Sequence, residues 1–181
     1  MKKLLAVLLA ITLITGLAAC TKNSGGDTGS ESSGAAPTTR VIFDTPAGYE
    51  KTAEGNVTTI FTIENGEGEV LRGISVNVIV AEDNYKKGLT SKDQQVLEDE
   101  LLTEFAENLT VTFTTVGDYP GIRIDDTNEQ GELVEITYLL LVGDWTVMVY
   151  NSGSDHDIQG MDADMVNLIK SMRLEEVSFS A

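Results

Sequence analysis

The stretch Ser152-Gly153-Ser154-Asp155-His156-Asp157 brings hydroxyls, an imidazole and carboxylates onto adjacent positions. These are the groups of a nucleophilic triad, in which an acid orients a histidine and the histidine takes the proton of a serine. Such a triad is assembled from separate parts of a chain that converge in space, and neighbours on one short loop rarely do so. The plainer reading is a solvated loop that caps the helix after it. His156 is the only histidine and Cys20 the only cysteine. The His and Cys sets that usually hold Zn²⁺ therefore cannot be built.

Carboxylates offer other chemistry. Asp155, Asp157, Asp162 and Asp164 carry the hard oxygens that Ca²⁺ prefers, but their spacing is not that of an EF-hand loop and the glycine is misplaced. Asp125, Asp126 and Glu129 form a second acidic cluster at a predicted hairpin turn. Solvated turn and cap residues are the default for both. Glu135 and Asp144 could form the carboxylate pair of a glycoside hydrolase, yet a chain with 29 acidic residues supplies such pairs by chance. Gly66-Glu67-Gly68 lacks the lysine and the following helix of a phosphate loop. Trp145, Tyr138 and Tyr150 could make a binding face, although aromatics at strand spacing more often belong to a core. The residues thus assign no catalytic, cofactor-binding or metal position, and a non-enzymatic role is expected.

The elements that must position these groups follow from periodicity. Val41-Ile42-Phe43 is a short apolar run stopped by Asp44-Thr45-Pro46-Ala47-Gly48, a turn after which Tyr49 can fold back onto the core. Val57 to Ile63 alternates as a strand. Asn65-Gly66 is a turn signal, and Ile74 to Ala81 is the next strand, expected to pair antiparallel with the one before. The period then changes. Ser91 and Gln94 form a capping box, and Leu97, Leu101 and Phe105 recur at helical spacing, predicting an amphipathic helix over Lys92 to Glu107. Strands resume at Thr110–Val116, Ile122–Thr127, Leu133–Val142 and Trp145–Tyr150. Gly143-Asp144 marks a two-residue hairpin between the last two. Ile158, Met161, Met165, Leu168 or Ile169, and Met172 predict a closing helix, capped by Asp155 or Asp157 and ended near Lys170 and Arg173. Gly160 should weaken its first turn by about 1 kcal/mol relative to Ala. Antiparallel strands with inserted helices read as an α+β domain, an antiparallel sheet with two main helices packed on it.

The first forty residues have a different character. Met1-Lys2-Lys3 is basic, and Leu4 to Leu17 is an apolar run too short to span a bilayer comfortably. With small residues behind it, this is a secretory signal. Leu17-Ala18-Ala19-Cys20 resembles the lipobox of bacterial lipoproteins. That resemblance implies cleavage before Cys20, a thioether-linked lipid on its thiol and acylation of the palmitate type. Residues 1–19 are then a cleaved signal peptide. Residues 20–40 are a lipidated cysteine with a Gly/Ser/Thr tether, and residues 41–181 a single domain. A flexible tether of that length reaches some 25 Å on average. The expected location is the extracytoplasmic face of the cell membrane, held by the lipid.

The layout of the domain resembles the PsbP-like fold, an α/β/α sandwich. The matching pieces are Phe43-Asp44-Thr45-Pro46-Ala47-Gly48-Tyr49, Gly117-Asp118-Tyr119-Pro120-Gly121, the hairpin through Trp145 and the ending Ile169-Lys170-Ser171-Met172-Arg173. The resemblance implies docking to a larger assembly without catalysis, and carries over no site residue. The formal net charge of −17 repels nucleic acid and anionic head groups. The expected partners are therefore the membrane, through the lipid anchor, and an envelope protein. A small-ligand or cation-binding accessory role, or a carboxylate hydrolase, are the alternatives.

Overall fold

The computed structural model describes residues 39–81, 108–154 and 157–177. The strands are β1 (Thr39–Ile42), β2 (Glu50–Glu54), β3 (Thr58–Glu64), β4 (Val70–Val80), β5 (Leu109–Val116), β6 (Tyr119–Thr127), β7 (Leu133–Val142) and β8 (Trp145–Ser152). A helix, α1 (Ile158–Ser171), and a last strand, β9 (Arg173–Glu176), complete the described elements. Seven strands form one antiparallel sheet in the order β2-β3-β4-β8-β7-β6-β5, and β1 pairs with β9 in a separate ribbon. Two meanders, β2 to β4 and β5 to β8, are thus joined along the β4–β8 ladder.

The turns have sequence causes. The β5–β6 and β7–β8 hairpins each close over two residues, Gly117-Asp118 and Gly143-Asp144, with the glycine at φ 62° and 61°. A positive φ at the first of two turn residues is the type II′ geometry that matches strand twist. The Asn65 and Asn128 loops share a second device. Each asparagine side chain accepts two backbone N–H groups, from Glu67 and Glu69 in one loop and from Gln130 and Glu132 in the other, at 2.9–3.0 Å. In both, the positive φ falls on the glycine three residues after the asparagine, Gly68 and Gly131. The Asn65-Gly66 dipeptide is therefore at a turn, but Gly68 is the residue that turns the chain. Tyr49 does fold back onto the core: its N–H bonds Pro46 O at 3.1 Å, and its ring is 6% exposed.

Alternation assigns the two faces. The register row Thr112, Arg123, Tyr138, Val149, Val76, Thr59 faces α1, and the next row, Phe113, Ile122, Leu139, Met148, Asn77, Thr58, faces the other way. The main core lies on the helix side, where Met161, Met165, Leu168 and Ile169 meet Ile74, Val76, Ile136, Leu140, Val147 and Val149. A smaller cluster around Ile122 and Ile124 lies on the opposite face, flanked by Leu109, Val111, Phe113 and Leu139.

Among the described residues, the expected α+β domain with two main helices packed on a sheet is not what forms. The described structure is mostly strand, with one helix, α1. Part of the reason is that β2 and β9 read Glu-Lys-Thr-Ala-Glu and Arg-Leu-Glu-Glu, fully exposed strands with no apolar alternation to reveal them. The predicted helix over Lys92 to Glu107 lies outside the described residues. Of the two residues expected to cap α1, Asp157 does so: its Oδ1 accepts Gly160 N–H at 3.0 Å. A Cβ at position 160 would collide with that carboxylate, so the glycine leaves room for the cap.

Gly121, expected in a turn, sits inside β6 instead, where a Cβ would strike the Leu139 carbonyl and Leu140. Gly121→Ala should therefore lower stability by about 1–3 kcal/mol, the usual cost of overpacking, read as a lower urea midpoint with an unchanged slope. A midpoint equal to the parent's would show that β7 yields without cost.

Candidate functional site

The helix–sheet boundary is where the fold concentrates its ionisable groups. Asp162 on α1 meets Arg123 on β6 and Tyr138 on β7. Arg123 Nη1 donates to Asp162 Oδ2 at 2.7 Å and to the Tyr138 hydroxyl at 3.0 Å, and Arg123 Nε donates to Asp125 Oδ1 at 2.7 Å. The Tyr138 hydroxyl donates in turn to Asp162 Oδ1 at 2.7 Å. The guanidinium carbon stands 5.6 Å from the Tyr138 ring centre, within cation–π range. Burial pushes the Tyr138 hydroxyl up to about 12, and the hydrogen bond and charge of Asp162 add to it. Burial works against the charge on Arg123, but the carboxylates of Asp162 and Asp125 outweigh it and hold the guanidinium above its usual range.

A second unit of the same chemistry lies two residues along the helix. The Tyr49 hydroxyl donates to Asp164 Oδ2 at 3.1 Å. Arg72 on β4 reaches Asp164 at 3.6 Å and Asp157 at 2.8 Å. Burial, then the Asp164 charge, raises the Tyr49 hydroxyl well above the usual phenol range. Each unit is a Tyr–Asp–Arg strut from sheet to helix. Asp157, Asp162 and Asp164 are therefore drawn to arginines, and among the described residues no three carboxylate, histidine or cysteine groups gather around a common point that could hold a metal.

The other candidates are dispersed. Asp125 lies on the helix face, whereas Asp126 is its neighbour on the opposite face, and Glu129 is in the Asn128 loop. Glu135 stands directly across from Asp126 in the β6–β7 register. Burial, with the Asp126 charge adding to it, pushes the Glu135 carboxyl up to about 7. Asp144 sits in the turn at the far end of β7, nine residues from Glu135. At roughly 3.3 Å per residue that is about 30 Å, far beyond the 5–10 Å or so of a glycosidase pair. Trp145 and Tyr138 lie on the helix side of the core, while Tyr150 is on the opposite face. Gly66-Glu67-Gly68 forms the β3–β4 hairpin. Cys20, Asp155 and His156 lie outside the described residues. The struts were missed in the sequence because their members are 15 to 115 residues apart. The usable signal was Asp162-Ala163-Asp164, two acids placed against the margins of the apolar stripe of α1.

No family model matches the chain, and no curated protein matches it. Solved structures give fold-level likenesses. A protein of Bacteroides thetaiotaomicron has a TM-score of 0.44 at 10% identity, covering 75% of this chain and 45% of its own. LpqN of Mycobacterium tuberculosis, described as involved in cell envelope biogenesis, has 0.41 at 12%, covering 75% and 83%. The cyanobacterial PsbP protein (CyanoP) of Synechocystis has 0.42 at 11%, covering 85% and 99%. The chain thus spans less than half of the Bacteroides chain. Among the described residues no helix is long and apolar enough to cross a membrane.

Two measurements follow from the geometry. Asp162→Ala removes two charge-assisted bonds from a site about three-quarters buried, and should cost about 2–3 kcal/mol of unfolding free energy, with Tyr138→Phe costing about 1. In a double-mutant cycle the two should be non-additive; strict additivity would mean the strut is not a unit. The second measurement concerns pH. A carboxyl raised on folding holds its proton more tightly in the native state, so its contribution is fully present below the ordinary glutamate range and is lost as pH rises through about 7. Glu135→Gln should therefore raise the melting temperature at pH 8 and change it little at pH 4. Equal shifts at both pH values would remove Glu135 from the account.

Proposed function

We propose that this chain is a lipid-anchored extracytoplasmic lipoprotein whose PsbP-like domain is a non-catalytic binding or assembly module of the cell envelope. The anchor rests on Leu17-Ala18-Ala19-Cys20 behind a basic, apolar leader. The single observation that carries the non-catalytic part is the commitment of the clustered ionisable groups. Arg123, Asp162 and Tyr138, and again Arg72, Asp164 and Tyr49, saturate one another in holding the helix to the sheet. A general acid or base needs a proton position open to substrate, whereas these hydroxyls and carboxylates spend theirs on each other. The tether places the domain clear of the membrane surface, and the negative surface favours a partner protein over anionic lipid.

Cys20→Ser should move the protein from the membrane fraction to the soluble fraction, or leave it unprocessed, and should abolish incorporation of a labelled fatty acid. A variant as membrane-bound and as labelled as the parent would end the anchor reading. For the module itself, in-cell crosslinking of the anchored protein should recover a defined envelope protein, reproducibly and only from anchored material. Turnover in an activity screen, with no such partner, would reverse the assignment.

A further inference from the structure

The two edge strands of the seven-stranded sheet, β2 and β5 among the described residues, are built in opposite ways. The β2 edge is five residues long, carries Glu50, Lys51 and Glu54, and breaks register between Lys51 and Ala53. Short length, charge and a bulge are the devices that stop an edge from pairing with another chain. The β5 edge has none of them. Its eight residues, Leu-Thr-Val-Thr-Phe-Thr-Thr-Val, are uncharged and pair with β6 in unbroken register. The hairpin closes on the pair Val116–Tyr119, and hydrogen-bonded and non-bonded pairs alternate from there. Leu109, Val111, Phe113 and Thr115 accordingly turn their N–H and C=O groups outward. Among the described residues β6 is the sole strand partner of β5.

We infer that β5 is a self-pairing interface, and that two copies of this chain join antiparallel through it, centred on Thr112. The occupant follows from three features. With a net charge of −17, copies repel wherever carboxylates would meet, and β5 holds no ionisable residue. Pairing about Thr112 sets Val111 against Phe113 and Thr110 against Thr114, and Thr–Thr and aromatic–β-branched pairs across strands are stabilising. Leu109, Val111 and Phe113 are half-buried at the rim of the Ile122–Ile124 cluster, so the joint continues that apolar cluster from one copy into the next. Because β2 is blocked, growth stops at a closed two-fold pair and does not run on into a filament. The interface is small by the standard of stable complexes, so the pair forms with rising concentration. This inference is independent of the proposed envelope role.

The test uses the full chain carrying Cys20→Ser, so that an added thiol stands alone. Thr112→Cys places two thiols opposite each other at a Cα separation of about 4.5 Å, within disulfide reach, and should give a covalent dimer under mild oxidation. Thr52→Cys on β2 should remain monomeric. In parallel, light scattering of the parent should rise toward twice the monomer mass with concentration. Val111→Pro, which deletes an outward N–H at an edge where proline is tolerated, should abolish that rise without loss of the melting transition. A monomer at every concentration with no Thr112→Cys dimer overturns the inference. So does equal crosslinking at positions 52 and 112, or crosslinking of Thr112→Cys only to a different protein.

Discussion

One ladder, β4 against β8, makes a single sheet out of two meanders. It pairs Gly73–Val80 with Trp145–Ser152, with the first three strands of the second meander, β5 to β7, lying between them in sequence. Such a long-range closure costs chain entropy before it returns any contact. The return comes at the seam itself, where Ile74, Val76, Val147 and Val149 are fully buried. The helix is what covers that seam. At 3.6 residues per turn, Asp162 and Asp164 project to either side of the Met161–Met165–Leu168 stripe. Asp162 reaches β6 and β7 of the second meander, and Asp164 reaches β4 and the Tyr49 segment of the first. The helix therefore straddles the joint and is tied to both halves.

The chain has one cysteine, so no internal disulfide can replace this arrangement. The apolar stripe alone would hold the helix down, but methionines and leucines tolerate sliding and rotation. Two struts with fixed hydrogen-bond geometry remove that freedom. Their net contribution to stability is modest, because desolvation offsets much of the attraction between paired charges. Their larger effect is positional: a helix shifted by one turn would take Asp162 and Asp164 away from the Tyr138 and Tyr49 hydroxyls that donate to them, at the cost of broken buried hydrogen bonds. Two of the few basic residues in an acidic chain are used for this.

What was legible in the sequence is what depends on local periodicity and turn chemistry. Strands β3, β5, β7 and β8 stand within two residues of where alternation put them, while β4 and β6 begin three or four residues earlier than expected, at Val70 and Tyr119. The Gly143-Asp144 hairpin, the Asp157 cap and the return of Tyr49 to the core likewise needed only neighbours in sequence. What failed was non-local or unpatterned. Polar strands such as Glu50–Glu54 exist because a neighbour offers a ladder, and no period announces that. Gly121 looked like a turn residue because it follows Tyr119-Pro120, when its role is to let β6 and β7 approach. The β4–β8 pairing and both struts join segments that nothing in the sequence links.

The two faces of the sheet also differ in how they hold charge. On the helix face, carboxylates meet arginines, and the Tyr138 and Tyr49 hydroxyls and the Arg123 guanidinium are all held above their ordinary ranges. On the opposite face, Glu135 stands across from Asp126, like charge beside like charge, and its carboxyl titrates near neutrality. Like charges directly opposed on neighbouring strands are destabilising. Among the described residues, the carboxyl that burial pushes toward neutrality therefore lies at the β6–β7 end of the other face. The next residue, Ile136, donates its N–H to Asn151 Oδ1 on β8 at 2.6 Å, and Asn151 pairs with Ile74 in the β4–β8 seam, so a proton lost from Glu135 acts one strand away from the contacts on which the sheet depends.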